Sequence, residues 1–230
     1  MKWCLVLLIL AGVSWADNTL NTSEYSIFTC PKLKSQEEID LDKIMGKWYV
    51  VEVLQHKVDP QKPVSDLYFV DTCPFVELRP LEPSSLRLLW TEEAGNLEYT
   101  FRIPDISRTP GVWISSSPQN GTLASAWDKQ YHQFSGSVNV MKAVASDMVL
   151  TFCSGQPDNQ LYSLLLARER VLQRSDIRGV HNLLGRRGLN VVSVRMTCWQ
   201  NGARRWSSFD LTGWVALIGV LSTSVRFGTW

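Results

Sequence analysis

Between residues 47 and 168 short apolar runs alternate with polar breakers, and the spacing of both predicts strands. Trp48-Tyr49-Val50-Val51-Glu52-Val53 opens the series. A run of aromatic and β-branched residues of that length suits a pleated, half-buried strand. Further strands are predicted at 73–79, 86–91, 97–103, 111–115, 137–144, 148–152 and 161–168. Pro80 and Pro83, Gly95-Asn96, Pro104 and Pro110, residues 118–121 and residues 155–158 separate most of them. Gly and Pro at such places interrupt the backbone and mark turns. A single helix follows: Ser175 is placed to cap it, and Ile177, Val180, Leu183 and Leu184 recur along one face. Arg186 and Arg187 suit its last turn, and Gly188 can end it. Gly179 inside the helix costs roughly 1 kcal/mol against alanine. The expected class is all-β, eight strands with one amphipathic helix packed on the outside of a sandwich or barrel. Closing the sheet removes its exposed edges, and an eight-stranded barrel encloses room for one small ligand.

The flanks read differently. Lys2, the apolar run 3–13 and the small residues of Ser14-Trp15-Ala16 predict a signal peptide over 1–16. The run is too short to span a bilayer. The barrel and its helix are assigned to 17–200, and 201–230 to an atypical extension, loosely packed or membrane-associated. In that extension Ser207-Ser208 followed by the apolar 214–221 is similar to a GPI-anchor signal. The polar spacer is nearly missing, however, and Arg226 interrupts the tail. The 23 Lys and Arg balance 22 Asp and Glu without a basic block. That excludes the electrostatic footprint of a nucleic-acid binder. Of five cysteines Cys4 lies in the leader; Cys30, Cys73, Cys153 and Cys198 remain. An even number in an oxidising compartment predicts two disulfides, with all three pairings open. No Cys-x-x-Cys pair exists and the three histidines are scattered, which argues against zinc. Asn21-Thr22-Ser23 and Asn120-Gly121-Thr122 are glycosylation acceptor patterns, consistent with a secreted, extracellular chain.

Three features together carry a family resemblance. Gly46-Lys47-Trp48-Tyr49, at the head of the first strand, resembles the Gly-x-Trp signature of lipocalins. Tyr162-Ser163-Leu164-Leu165-Leu166-Ala167-Arg168 resembles the last barrel strand of that family, followed by a helix as the family requires. The cysteine pattern, with Cys30-Pro31 ahead of the first strand, is similar to that of apolipoprotein D-like and insect Lazarillo-like extracellular lipocalins. The resemblance implies an eight-stranded antiparallel up-and-down barrel with the C-terminal helix outside. It also implies Trp48 as the plug of the closed end under Arg168, and the pairs Cys30–Cys153 and Cys73–Cys198. One motif departs: where the family carries Thr-Asp-Tyr, this chain has Ala145-Ser146-Asp147-Met148 close by, with Asp147 as the candidate for the role.

The candidate chemistry is binding rather than turnover. No His-Glu-x-x-His, Gly-x-Ser-x-Gly, P-loop or dinucleotide fingerprint occurs, and no cofactor or metal is expected. His56, His132 and His181 read as surface or structural residues. With the four cysteines assigned to disulfides, no free thiol remains to act as a nucleophile. Counting inward by twos from Arg168 predicts Leu166, Leu164 and Tyr162 on the interior wall; the same count from Trp48 predicts Val50, Glu52 and Leu54. Trp90 and Phe101 are expected wall residues from the middle strands. Apolar walls with a few polar groups describe a pocket for a small hydrophobic ligand: a lipid, retinoid, sterol, pheromone or pigment, with Glu52 favouring a hydroxyl or amine. Residues 120–134, with Trp127, Tyr131 and Phe134, read as a lid or a plain long loop. The expected function is a secreted carrier. The alternative is an extracellular interaction protein whose barrel loops bind a cell-surface receptor; an enzyme acting on a bound lipid is a third reading.

Overall fold

The computed structural model describes residues 30–58, 67–69, 72–116, 119–123, 134–155 and 160–198, with backbone alone at 67–69. The signal peptide, Asn21, His132, most of 120–134 and the extension 201–230 lie outside these residues. A one-turn helix α1 (Leu41–Ile44) is capped by Asp40, whose carboxylate accepts from the Lys43 N–H at 3.3 Å. Then come β1 (Gly46–Gln55), β2 (Leu67–Phe69), β3 (Phe75–Glu82), β4 (Ser85–Glu92), β5 (Gly95–Arg102), β6 (Val112–Ser115), β7 (Ser137–Ala143), β8 (Asp147–Ser154) and β9 (Gln160–Ala167). A helix α2 (Arg174–Arg186) and a strand β10 (Ser193–Met196) complete the elements among the described residues.

Eight of these strands, β1 and β3 to β9, each pair antiparallel with the next, and β9 returns to β1, so the barrel closes. All eight expected strands are present, with ends moved by at most three residues. The sequence reading missed β2 and β10, which are only three and four residues long. β1 pairs with β3 along Gly46–Tyr49 alone; from Glu52 to Gln55 the same edge pairs antiparallel with β10, and β2 runs parallel on β10.

Two apolar layers follow from the pleat. Inside the barrel lie Trp48, Val50, Val76, Leu78, Leu88, Phe101, Trp113, Val138, Leu150, Leu164 and Leu166. Outside, Val51, Leu54, Met141, Val149 and Leu165 lie under Val180 and Leu184 of α2. The expected cap of α2 is corrected: Ser175 lies within the first turn, and Gln173 holds the N-cap without a side-chain bond. Its end is as expected. Gly188 adopts φ +78°. The Gly188 N–H then reaches Gly185 O (3.0 Å) and the Leu189 N–H reaches Leu184 O (3.0 Å), the paired bonds of a Schellman stop. Leu189 thereby joins the outer layer. The disulfides are Cys30–Cys153 and Cys73–Cys198. The first ties the N-terminal segment to β8, and the second ties the approach to β3 to the end of β10.

Candidate functional site

At one end the barrel is plugged. Trp48 is fully buried, and its indole N–H donates to Ile44 O at 2.8 Å. The Arg168 guanidinium lies 3.6 Å above the indole ring. It donates to Lys43 O (2.7 Å), Met45 O (2.9 Å) and Lys47 O (2.9 Å), binding the end of α1 and the start of β1 to the end of β9. Desolvation holds the Arg168 pKa below its ordinary value, yet an arginine stays charged. Gly46 turns the chain here at φ +89°, and a Cβ on it would stand 3.6 Å from the guanidinium. Asp147, the first residue of β8, is buried, pairs with Lys142 at 2.6 Å and accepts from the Ser146 hydroxyl at 3.0 Å.

Aromatic rings fill the other half of the barrel. Phe134, from the connection between β6 and β7, stands 5.5 Å from Trp90 of β4, 5.7 Å from Tyr99 of β5 and 5.3 Å from Phe152 of β8. Phe152 stacks on Tyr162 of β9 at 5.1 Å, and Phe101 lies 6.0 Å from Tyr99 and 6.3 Å from Trp113. The rings thus run across the interior from β4 to β9. Burial pushes the Tyr162 phenol well above its usual pKa, Tyr99 adds to the rise and Arg195 opposes it. The phenol is therefore neutral at physiological pH.

Most of the proposed wall residues come together here. Val50, Trp90, Phe101, Leu164 and Leu166 belong to the inner cluster, and Tyr162 packs against it. Glu52 and Leu54 do not, and the inward assignment of both is corrected. β1 pairs Val50 with Leu166 and Glu52 with Leu165, so Val51 is an extra residue in a bulge. An extra residue reverses the alternation beyond it. Val53 therefore faces inward, Leu54 joins the outer layer, and Glu52 accepts a 2.7 Å hydrogen bond from His181 of α2. The basis for a hydroxyl or amine preference goes with Glu52.

The counting by twos also missed wall residues. Tyr99 lies two residues before Phe101, and Phe152 two after Leu150, so their alternation carried a signal. Phe134 belongs to no strand, and a period-two search has no purchase on it.

A second polar cluster lies outside the barrel. His56 Nε2 is 2.7 Å from Ser163 Oγ, Nδ1 is 3.1 Å from Asn190 O, and Ser163 Oγ is 2.6 Å from Thr151 Oγ1. Because Asn190 O can only accept, Nδ1 carries the proton, and Nε2 accepts from the serine. Burial lowers the His56 pKa, with the bond to Asn190 opposing, so the neutral ring is favoured. A serine and histidine so placed resemble a hydrolytic pair, but Ser163 and Thr151 have no exposed surface for a substrate to reach. Among the described residues no group of three or more His, Cys, Asp or Glu is arranged to hold a metal ion. Asn120 is exposed beside β5, where its backbone bridges Glu98.

No known protein-family model matches the chain, and no curated protein matches it. Among solved structures, the siderocalin Ex-FABP, described as functioning through dual ligand specificities, matches at 16% identity with a TM-score of 0.47. That match covers 70% of this chain and 97% of the other. A biogenic amine-binding protein, solved as its selenomethionine derivative, matches at 12% identity with a TM-score of 0.48, covering 72% of this chain and 84% of the other. At these scores neither likeness bears on what this chain does.

Proposed function

We propose that this chain is a secreted lipocalin of the apolipoprotein D-like and Lazarillo-like kind, which carries one small apolar ligand inside its barrel without transforming it. The observation that carries the reading is Phe134. This ring occupies the centre of the aromatic half of the barrel, yet it is supplied by a connection and not by a strand. Withdrawing it breaks no ladder hydrogen bond, so an apolar ligand can take its place against Trp90, Tyr99 and Phe152. Burying such a ligand gains roughly 25 cal/mol per Å² removed from water, less the cost of immobilising it. The closed end stays shut through Trp48 and Arg168. The disulfides support an extracellular site of action, and Asn21 and Asn120 are proposed as glycosylated.

Titration with the neutral probe N-phenyl-1-naphthylamine tests the reading. One saturable site that quenches tryptophan emission is expected. Leu164→Trp should fill the interior and weaken binding, and Phe134→Ala should strengthen it. Absence of binding above background would overturn the carrier reading. The same rings favour the second reading in that event, with Phe134 as permanent filling and the loops binding a cell-surface partner.

A further inference from the structure

We propose that the outward face of α2 is a docking surface for a linear sulfated glycan, gripped by Arg174, Arg178 and Arg186. The inference goes beyond the carrier reading: it needs the extracellular setting but no ligand in the barrel. It begins with helical spacing. Ile177, Val180 and Leu184 pack α2 on the outer layer, and His181 bonds Glu52 beneath it. At 3.6 residues per turn, Arg174, Arg178, Asn182 and Arg186 form one i, i+4 ridge turned away from the barrel, and all four are exposed. The ridge runs about 18 Å along the helix axis. Ser175, Gly179 and Gly185 fall within the same arc, whereas Asp176, the single acid of α2, lies outside it. Among the described residues none of the three guanidinium groups is engaged in an ion pair or a hydrogen bond. Arg79 and Arg87, by contrast, pair with Glu77 and Glu98, and Arg187 bonds the Lys34 carbonyl. Gly179 and Gly185 disfavour a helix, yet a Cβ on either would meet nothing within 4 Å. They leave bare backbone beside the arginines, open to close approach.

The rest of the face decides what such a ridge can hold. The apolar residues of α2 are spent on the barrel, so the helix has no apolar edge to insert into a bilayer. The outward arc also lacks the aromatic or aliphatic anchor that centres a protein–protein interface. It offers cations, small polar side chains and open backbone, the complement of a hydrated polyanion. Guanidinium forks bond oxyanions through paired N–H donors. A cell-surface chain of the heparan sulfate type presents sulfates in a row to an extracellular protein. The charge balance of the whole chain hides the ridge. Its 23 cations against 22 anions show no basic block, but spacing by four gathers three arginines and no acid on one face.

The test is calorimetric titration of the purified protein with a heparin octasaccharide at increasing NaCl. Affinity should fall as salt rises, and the desulfated octasaccharide should not bind. Replacing Arg174, Arg178 and Arg186 together with glutamine should weaken binding about tenfold, each exposed ion pair contributing only part. Replacing Arg79, Arg102 and Arg108 with glutamine removes the same charge from β3, β5 and the loop after β5. That control should change binding by less than about twofold, since those charges lie across the barrel from α2. Asn182→Glu keeps every arginine but sets an acid one turn from both Arg178 and Arg186. Such i, i+4 pairs support a helix, so the variant should fold and bind about threefold more weakly. No binding of the octasaccharide at physiological salt, or equal losses in the two triple variants, would overturn the glycan site. Phosphatidylserine vesicles that bind the parent and not the α2 triple variant, where heparin binds neither, would overturn it in favour of a membrane surface.

Discussion

Removing the Arg168 guanidinium should loosen the closed end of the barrel by an amount the geometry bounds. The side chain makes three hydrogen bonds to Lys43, Met45 and Lys47 carbonyls and stacks 3.6 Å over Trp48. A hydrogen bond to a charged group contributes about 1.5–3 kcal/mol when shielded. The bonds to Lys43 and Lys47 are exposed, so water replaces them; the bond to Met45, part-buried, retains that worth. The contact with the indole adds about 0.5–2 kcal/mol. Arg168→Ala should therefore cost about 3 kcal/mol, which in a domain of this size lowers Tm by about 6–12 °C. Arg168→Lys should recover only part of the loss, since one ammonium cannot serve three carbonyls and an indole face. Reversible urea unfolding with intact disulfides measures the difference. A cycle with Trp48→Phe should show coupling of about 0.5–2 kcal/mol between the two residues. Arg168→Ala within 0.5 kcal/mol of the parent, or a strictly additive cycle, would refute the clamp.

Three further outcomes follow from local structure. The His56 pKa is depressed in the folded state relative to an unfolded value of about 6.5. Above that pH both states are neutral; below it the unfolded chain takes up the proton first. Stability should therefore fall with decreasing pH until the folded pKa is reached, by at most about 1.4 kcal/mol per pH unit. His56→Gln, unfolded in urea at pH 7.5 and pH 5, should lose less than the parent; equal losses would contradict the assignment. Gly179 is on the exposed side of α2, where an added methyl group would meet only open space. Gly179→Ala should stabilise the fold by up to about 1 kcal/mol in thermal melts, and destabilisation would be the wrong sign. The Cys73–Cys198 bridge spans 125 residues. Replacing both cysteines with serine should cost about 2–5 kcal/mol, read from urea midpoints, and an unchanged midpoint would contradict it.

The sequence carried the barrel because eight strands with turn residues between them leave few ways to bury one face each. It carried the closed end as well, where Trp48 and Arg168 belong to two motifs that the fold brings together. It failed where one residue breaks the periodicity. The bulge at Val51 has no composition signal: Val50, Val51, Glu52 and Val53 read as an unbroken strand, so counting by twos placed Glu52 and Leu54 inside. Once reversed, the same count puts Val53 inside. β10 was illegible because a four-residue strand after a helix gives too short a pattern to separate from a loop. Phe134 was singled out within a long connection, but where its ring goes depends on Trp90, Tyr99 and Phe152, distant residues that the fold assembles.

Native mass spectrometry of the protein purified from its own tissue tests the carrier reading most directly. The account predicts a one-to-one complex that sheds a single small apolar molecule on collisional activation. Leu164→Trp, purified from the same cells, should arrive without it. Protein that carries no such molecule, and that takes none up from a lipid extract of that tissue, would contradict the account.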